Sequence, residues 1–124
     1  MRKILVADDE EFIATLITEL FQDLNYEVET VYNGRDAILA AVEDAFDLVI
    51  CDVMMPYANG MELVAAMRGQ ERTRRTPIVL MSAALVPVLP DERVAFIAKP
   101  FSLEMLIDTV ADRLDRRSEE RLRA

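Results

Sequence analysis

The sequence predicts a doubly wound α/β domain built on five parallel strands, and three observations predict it. Short apolar runs alternate with longer stretches whose apolar residues recur every three or four positions, the pattern of βα units around a sheet covered on both faces. Polar residues close those runs: Asp8 and Asp9, then Asp52, Ser82 and Lys99. In an open parallel sheet the carboxyl ends of the strands converge at one edge, so five distant positions can share a pocket.

Each element has its own signal. Ile4-Leu5-Val6-Ala7 is uninterruptedly apolar, as in a strand covered on both faces. From Glu11 to Leu24 the residues Phe12, Ile13, Leu16, Ile17, Leu20, Phe21 and Leu24 mark one helical face, and Asn25 suits the helix end. Tyr26 to Val31 alternates with a period of two, as an outer strand with a partly wet face does. Asn33-Gly34 predicts a turn, Ala37 to Val42 a second helix, and Asp47 to Cys51 a central strand ending at Asp52. Pro56 and Gly60 mark a loop before a third helix with Met61, Leu63, Val64 and Met67. Pro77 opens the strand Ile78 to Met81, a position at which strands tolerate proline. Val94 to Ala98 gives the fifth strand, and Ser102 is placed to cap a last helix carrying Leu103, Leu106, Ile107, Val110 and Leu114 on one face.

Composition narrows the function. The 124 residues fit one domain with one core, and 52% hydrophobic against 30% charged residues describes a folded, soluble chain. A net charge of −9 argues against direct contact with nucleic acid, which needs clustered positive charge. The single cysteine, Cys51, excludes an internal disulfide and suits a reducing cytoplasm. No apolar stretch approaches the roughly 18 residues of a membrane span, and the run before Asp8 is too short for a signal-peptide core.

The strand-end residues point to phosphoryl chemistry. Neighbouring carboxylates at Asp8, Asp9 and Asp52 repel one another unless a cation joins them, and oxygen ligands select a hard ion such as Mg2+. A screened aspartate can attack phosphorus and form an acyl phosphate; Asp52, alone at its strand end, is the candidate. Lys99 offers a compact cation and Ser82 a hydroxyl for phosphoryl oxygens.

Four segments taken together, Ile4-Leu5-Val6-Ala7-Asp8-Asp9-Glu10, Asp52-Val53-Met54-Met55-Pro56 with Gly60, Met81-Ser82-Ala83 and Lys99-Pro100-Phe101, give a chain that resembles the receiver domains of two-component response regulators. The resemblance implies a flavodoxin-like strand order 2-1-3-4-5, with residues 1–115 as the receiver and 116–124 as a charged, exposed helical extension. It implies that Asp52 accepts a phosphoryl group from a histidine kinase or phosphotransfer protein. Asp9 would ligate Mg2+ directly, Asp8 would act through water, and Met54 would lend its backbone carbonyl. Ser82 and Lys99 would hold phosphoryl oxygens, Ser82 and Phe96 would form the switch, and Lys99-Pro100 would be cis. Output would pass to a downstream protein, from a monomer or weak homodimer.

Pro87 and Pro90 fall between Ser82 and Lys99, where the family places a helix; proline removes helix donors and restricts its predecessor. That helix is expected to be short or missing. Two rival readings are a Mg2+-dependent phosphatase forming an aspartyl phosphate and a degenerate receiver acting as a scaffold. The first generally requires a second acid two residues after the nucleophile, where Met54 stands; the full acidic set argues against the second. Cys51, on the opposite strand face from Asp52 by the period of two, reads as packing, and Arg72, Arg74 and Arg75 read as a solvated loop.

Overall fold

The computed structural model describes every residue except 85, 86 and 124. Three of the apolar runs become the interior of the sheet: β1 (Lys3–Ala7), β3 (Leu48–Asp52) and β4 (Ile78–Ser82) are buried almost throughout. The partly exposed β2 (Glu27–Val31) and the mostly buried β5 (Val94–Ala98) are its edges. All pairings are parallel, in the order β2-β1-β3-β4-β5. Reversal of the strand order beside β1 opens a crevice at the carboxyl ends of β1 and β3, where such folds bind ligands.

The period of two divides the core. Leu5, Ala7, Val49, Cys51, Ile78, Leu80 and Val94 face α2 (Gly34–Glu43) and α3 (Gly60–Arg68). Ile4, Val6, Leu48, Ile50, Val79, Met81, Ala95 and Ile97 face α1 (Glu11–Asp23) and α4 (Leu103–Arg123). Helix α1 buries Ala14, Ile17 and Phe21, a narrower stripe than its periodicity suggested; Phe12 is 79% exposed. Asn25 takes a positive φ of 68° after the helix end, which asparagine tolerates well. Asn33, expected to turn the chain, instead caps α2: its side chain accepts the Asp36 N–H at 2.8 Å. In α4 Leu106, Val110 and Leu114 are buried, and the Ser102 hydroxyl accepts the Met105 N–H at 3.0 Å.

Between β4 and β5 the described residues form bends and a turn, with no helix among them; positions 85 and 86 of that expected gap lie outside the described residues. The chain's fourth helix, α4, is present but follows β5. Its last turns are not uniformly exposed, as residue type alone suggested. Arg117 Nη1 donates to the carbonyls of Phe46 at 3.2 Å and Asp47 at 2.7 Å, and Arg93 pairs with Glu120 at 3.0 Å. Long arginine stems cover the amino-terminal edge of the sheet while their heads find carbonyls.

Two glycines set the loop that leaves β3. A Cβ on Gly34 would stand 1.7 Å from the Ala58 carbonyl oxygen, and one on Gly60 would stand 2.8 Å from the Asp52 carbonyl oxygen. Helices α2 and α3 can therefore approach the loop after Asp52 only as glycine. At Gly69 the same atom would meet nothing nearer than 3.5 Å. Gly34→Ala is expected to lower unfolding stability by about 1–3 kcal/mol through overpacking, whereas Gly69→Ala leaves it unchanged or raises it. Urea unfolding midpoints of the two variants check this contrast.

Candidate functional site

Register brings the acids together. Val6 pairs with Ile50 across β1 and β3, so two residues further on Asp8 comes opposite Asp52. Asp8 continues the Ile4-Val6 side and Asp52 the Leu48-Ile50 side, which is one face of the sheet. Lys99 continues the Ala95-Ile97 side of β5, again the same face. Its backbone N–H donates to the Ser82 carbonyl at 2.9 Å, and its peptide bond to Pro100 is cis.

From that position the Lys99 ammonium donates to Asp8 Oδ2 at 2.9 Å, Asp52 Oδ2 at 3.0 Å and Glu10 Oε1 at 3.2 Å. The Asp8 side chain is wholly buried, that of Asp52 is 7% exposed and that of Lys99 11%. The other oxygens are held by the backbone: Asp8 Oδ1 accepts the Glu10 N–H at 2.9 Å and Asp52 Oδ1 accepts the Met54 N–H at 3.2 Å. Burial raises the Asp8 pKa above the usual carboxylate value despite the Glu10 N–H and Lys99 beside it. Burial also opposes the charge on Lys99, but its hydrogen bonds to Asp8 and Asp52 outweigh it and raise the ammonium pKa. Lys99 is thus protonated at neutral pH.

Around these groups lies a cavity of about 260 Å³ lined by Asp9, Glu10, Asp52, Met54, Ser82 and Lys99. One carboxylate oxygen each from Asp8, Glu10 and Asp52 lies within 4.8 Å of the others, the arrangement that a hard cation needs. Asp9 lines the cavity but is not in that group, because the turn made by Asp8 and the Glu10 N–H folds Glu10 back over the pocket. Glu10 was given no role by sequence reasoning. The signal was available: a residue two after a strand-end aspartate, where an Asx turn closes. Ser82 Oγ accepts the Ala84 N–H at 3.2 Å. Phe96 does not reach the cavity; it is half-buried on the other face, paired with Leu80 and diagonal to Ser82.

Cys51 packs on the α2–α3 side with its thiol donating to the Asp52 carbonyl at 3.2 Å, and burial, with Asp52 and Asp8 nearby, pushes its pKa up. A nucleophilic thiolate is thereby excluded at neutral pH. The arrangement that remains is a carboxylate at a central strand end, charge-neutralised by a lysine and facing an oxygen-lined cavity.

The model of the response regulator receiver domain matches residues 4–111, and the chain belongs to that family, the phosphoacceptor signalling domains of two-component systems. It is 30% identical over 127 residues to the response regulator ArlR of Staphylococcus saprophyticus, covering 98% of this chain and 56% of that protein. The chain therefore spans a little over half the length of this curated relative. Among solved structures, the chemotaxis response regulator CheY4 of Vibrio cholerae superposes with a TM-score of 0.80 at 33% identity, over 91% of this chain and 98% of that one. The receiver domain of the sensor histidine kinase PA1611 from Pseudomonas aeruginosa PAO1, with a magnesium ion in its active site cleft, gives 0.80 at 25% identity over 92% and 98%.

The raised Asp8 pKa has a sign that can be tested. Between the unfolded value of 3.8 and the higher folded value the native state binds more protons, so this group's contribution to stability falls as pH rises through that window. In chelator, the stability of the native chain relative to Asp8→Asn is expected to increase as pH is lowered from 7 toward 4. Urea unfolding of both proteins across that range measures it; a pH-independent difference would refute the burial argument.

Proposed function

We propose that this domain accepts a phosphoryl group on Asp52 and, so modified, changes its affinity for a partner protein. The observation that carries the reading is the Asp52 carboxylate, bound at 3.0 Å by the Lys99 ammonium beside Asp8 and open to the cavity. An Asp52 oxygen attacks the phosphorus of a phosphohistidine or small acyl phosphate, the bond to the leaving group breaks, and the leaving group departs with its electron pair. Lys99 offsets charge on the phosphoryl oxygens, and Ser82 donates to one of them. Asp8, Asp52 and the Met54 carbonyl, with Asp9 and Glu10 at the rim, would hold Mg2+, which when bound neutralises charge on the transferring group.

The switch follows from sheet parity. Ser82 and Phe96 share the face opposite Lys99, diagonal to each other and offset by two residues on β4 and β5. A phosphoryl group that draws Ser82 toward the cavity vacates space on the Phe96 side, so two packings differ in the position of one ring. Couplings of this kind commonly amount to about 1–3 kcal/mol. The donor is a histidine kinase or phosphotransfer protein and the output a protein contact made by a monomer or weak homodimer, with no direct role for nucleic acid in this domain of net charge −9. The buried, unreactive Cys51 suits a cytoplasmic setting. Among the described residues no helix is long and apolar enough to cross a membrane. The phosphatase reading is disfavoured by Met54 in the place of a second acid; the domain assists its own phosphorylation and does not turn over a small ester.

With Mg2+ and a small acyl phosphate, intact mass is expected to rise by a single phosphoryl group, and Asp52→Asn to abolish the gain. Uptake that survives this substitution would remove Asp52 from its role. Chelation is expected to abolish uptake and lower the melting temperature, since a ligand at about 100 times its Kd adds about 2.7 kcal/mol of stability.

A further inference from the structure

At the edge of the sheet opposite the acidic cavity, cations converge. The loop after α3 brings Arg72 and Arg75 against Arg117 and Arg121 of α4, and the four line one cavity of about 210 Å³ with Glu71 and Glu120. Seven arginines, adding Arg93, Arg113 and Arg116, line this and the adjoining cavity, half of the 14 basic residues in a chain of net charge −9.

The nearby acids form their ion pairs with groups other than Arg72 and Arg75. Glu120 is engaged by Arg93 at 3.0 Å, Asp112 by Arg116 at 3.1 Å, and Asp44 by Lys3. Asp47 reaches Arg121 only at 3.9 Å, and its other carboxylate oxygen accepts the Lys3 backbone N–H at 2.8 Å. Among the described residues Arg72 and Arg75 have no carboxylate at ion-pair distance. Arg113 Nε, buried at the wall of the adjoining cavity, has no hydrogen-bond partner and only a long ion pair to Asp112 at 3.9 Å. Burial first, and then the neighbouring Arg121, depress the Arg117 pKa against the opposing pull of Asp47 and Glu120.

We propose that this groove binds a small anion carrying two or more phosphate groups, inorganic or nucleotide, with Arg72 and Arg75 as its principal ligands. Guanidinium forks match phosphate oxygens in pairs, and two guanidinium pairs from separate elements suit an anion with more than one phosphate. The cavity has the volume of several waters, and the anion would lie at the far end of α4 from the acidic cavity.

The test is isothermal titration of the full chain with inorganic pyrophosphate in EDTA, so that no divalent ion bridges the ligand to the acidic cavity. Saturable binding is expected, weakened at least about tenfold in the Arg72→Gln/Arg75→Gln double variant and displaced poorly by sulfate at equal ionic strength. Phosphoryl uptake from acyl phosphate and Mg2+, unchanged in the double variant, shows that the fold and the acidic site are intact. A parallel titration with ATP separates the sources: tighter ATP assigns a nucleotide, tighter pyrophosphate a free polyphosphate. Absence of saturable binding, affinity unaltered by the double substitution, or equal competition by sulfate or a hexaglutamate peptide would overturn the proposal.

Discussion

The functional end of this domain depends on one ammonium group. Lys99 reaches from the end of β5 past β4 to hold Asp8, just after β1, and Asp52, at the end of β3, at hydrogen-bond distance. Two carboxylates so close and so buried would otherwise repel each other at high cost. Breaking a buried charge pair by removing one partner typically costs about 3–5 kcal/mol, so the ends of three strands are tied by a single cation. Under the proposed function the same ammonium stands where a phosphoryl group on Asp52 would gather charge.

That bridge divides the sheet into two working faces. Asp8, Asp52 and Lys99 extend the positions packed against α1 and α4, while Ser82 and Phe96 belong to the side packed against α2 and α3. Ser82, of the opposite parity, nonetheless lines the cavity beside Asp52 and Lys99. Among the described residues between β4 and β5 there is no helix, and Phe96 is partly buried.

The molecule is also polarised end to end. Acids collect at the carboxyl edge of the strands and arginines at the amino edge, and α4 connects the two. At 21 residues this helix runs about 30 Å, long enough to carry Leu106, Val110 and Leu114 along the core and still set Arg117 beneath β3. Its charged end is therefore part of the domain's packing.

Much of this was legible in residue order. Apolar runs such as Val49 to Cys51 and the 14-17-21 spacing in α1 specify element type because burial on two faces or one imposes its own period. The strand-end residues Asp8, Asp52, Ser82 and Lys99 announced a shared pocket because parallel strands end on one edge. Three things waited for the tertiary structure. Asp8 faces Asp52 because β1 lies beside β3 in a particular register, and no local period encodes which strand is a neighbour. Glu10 enters the acidic group because a turn closes on Asp8. Arg72 and Arg75, a solvated loop by composition, meet Arg117 and Arg121 only because α4 folds back under the sheet. Local preference is set by a residue and its near neighbours; contact between distant charges is set by how the layers stack.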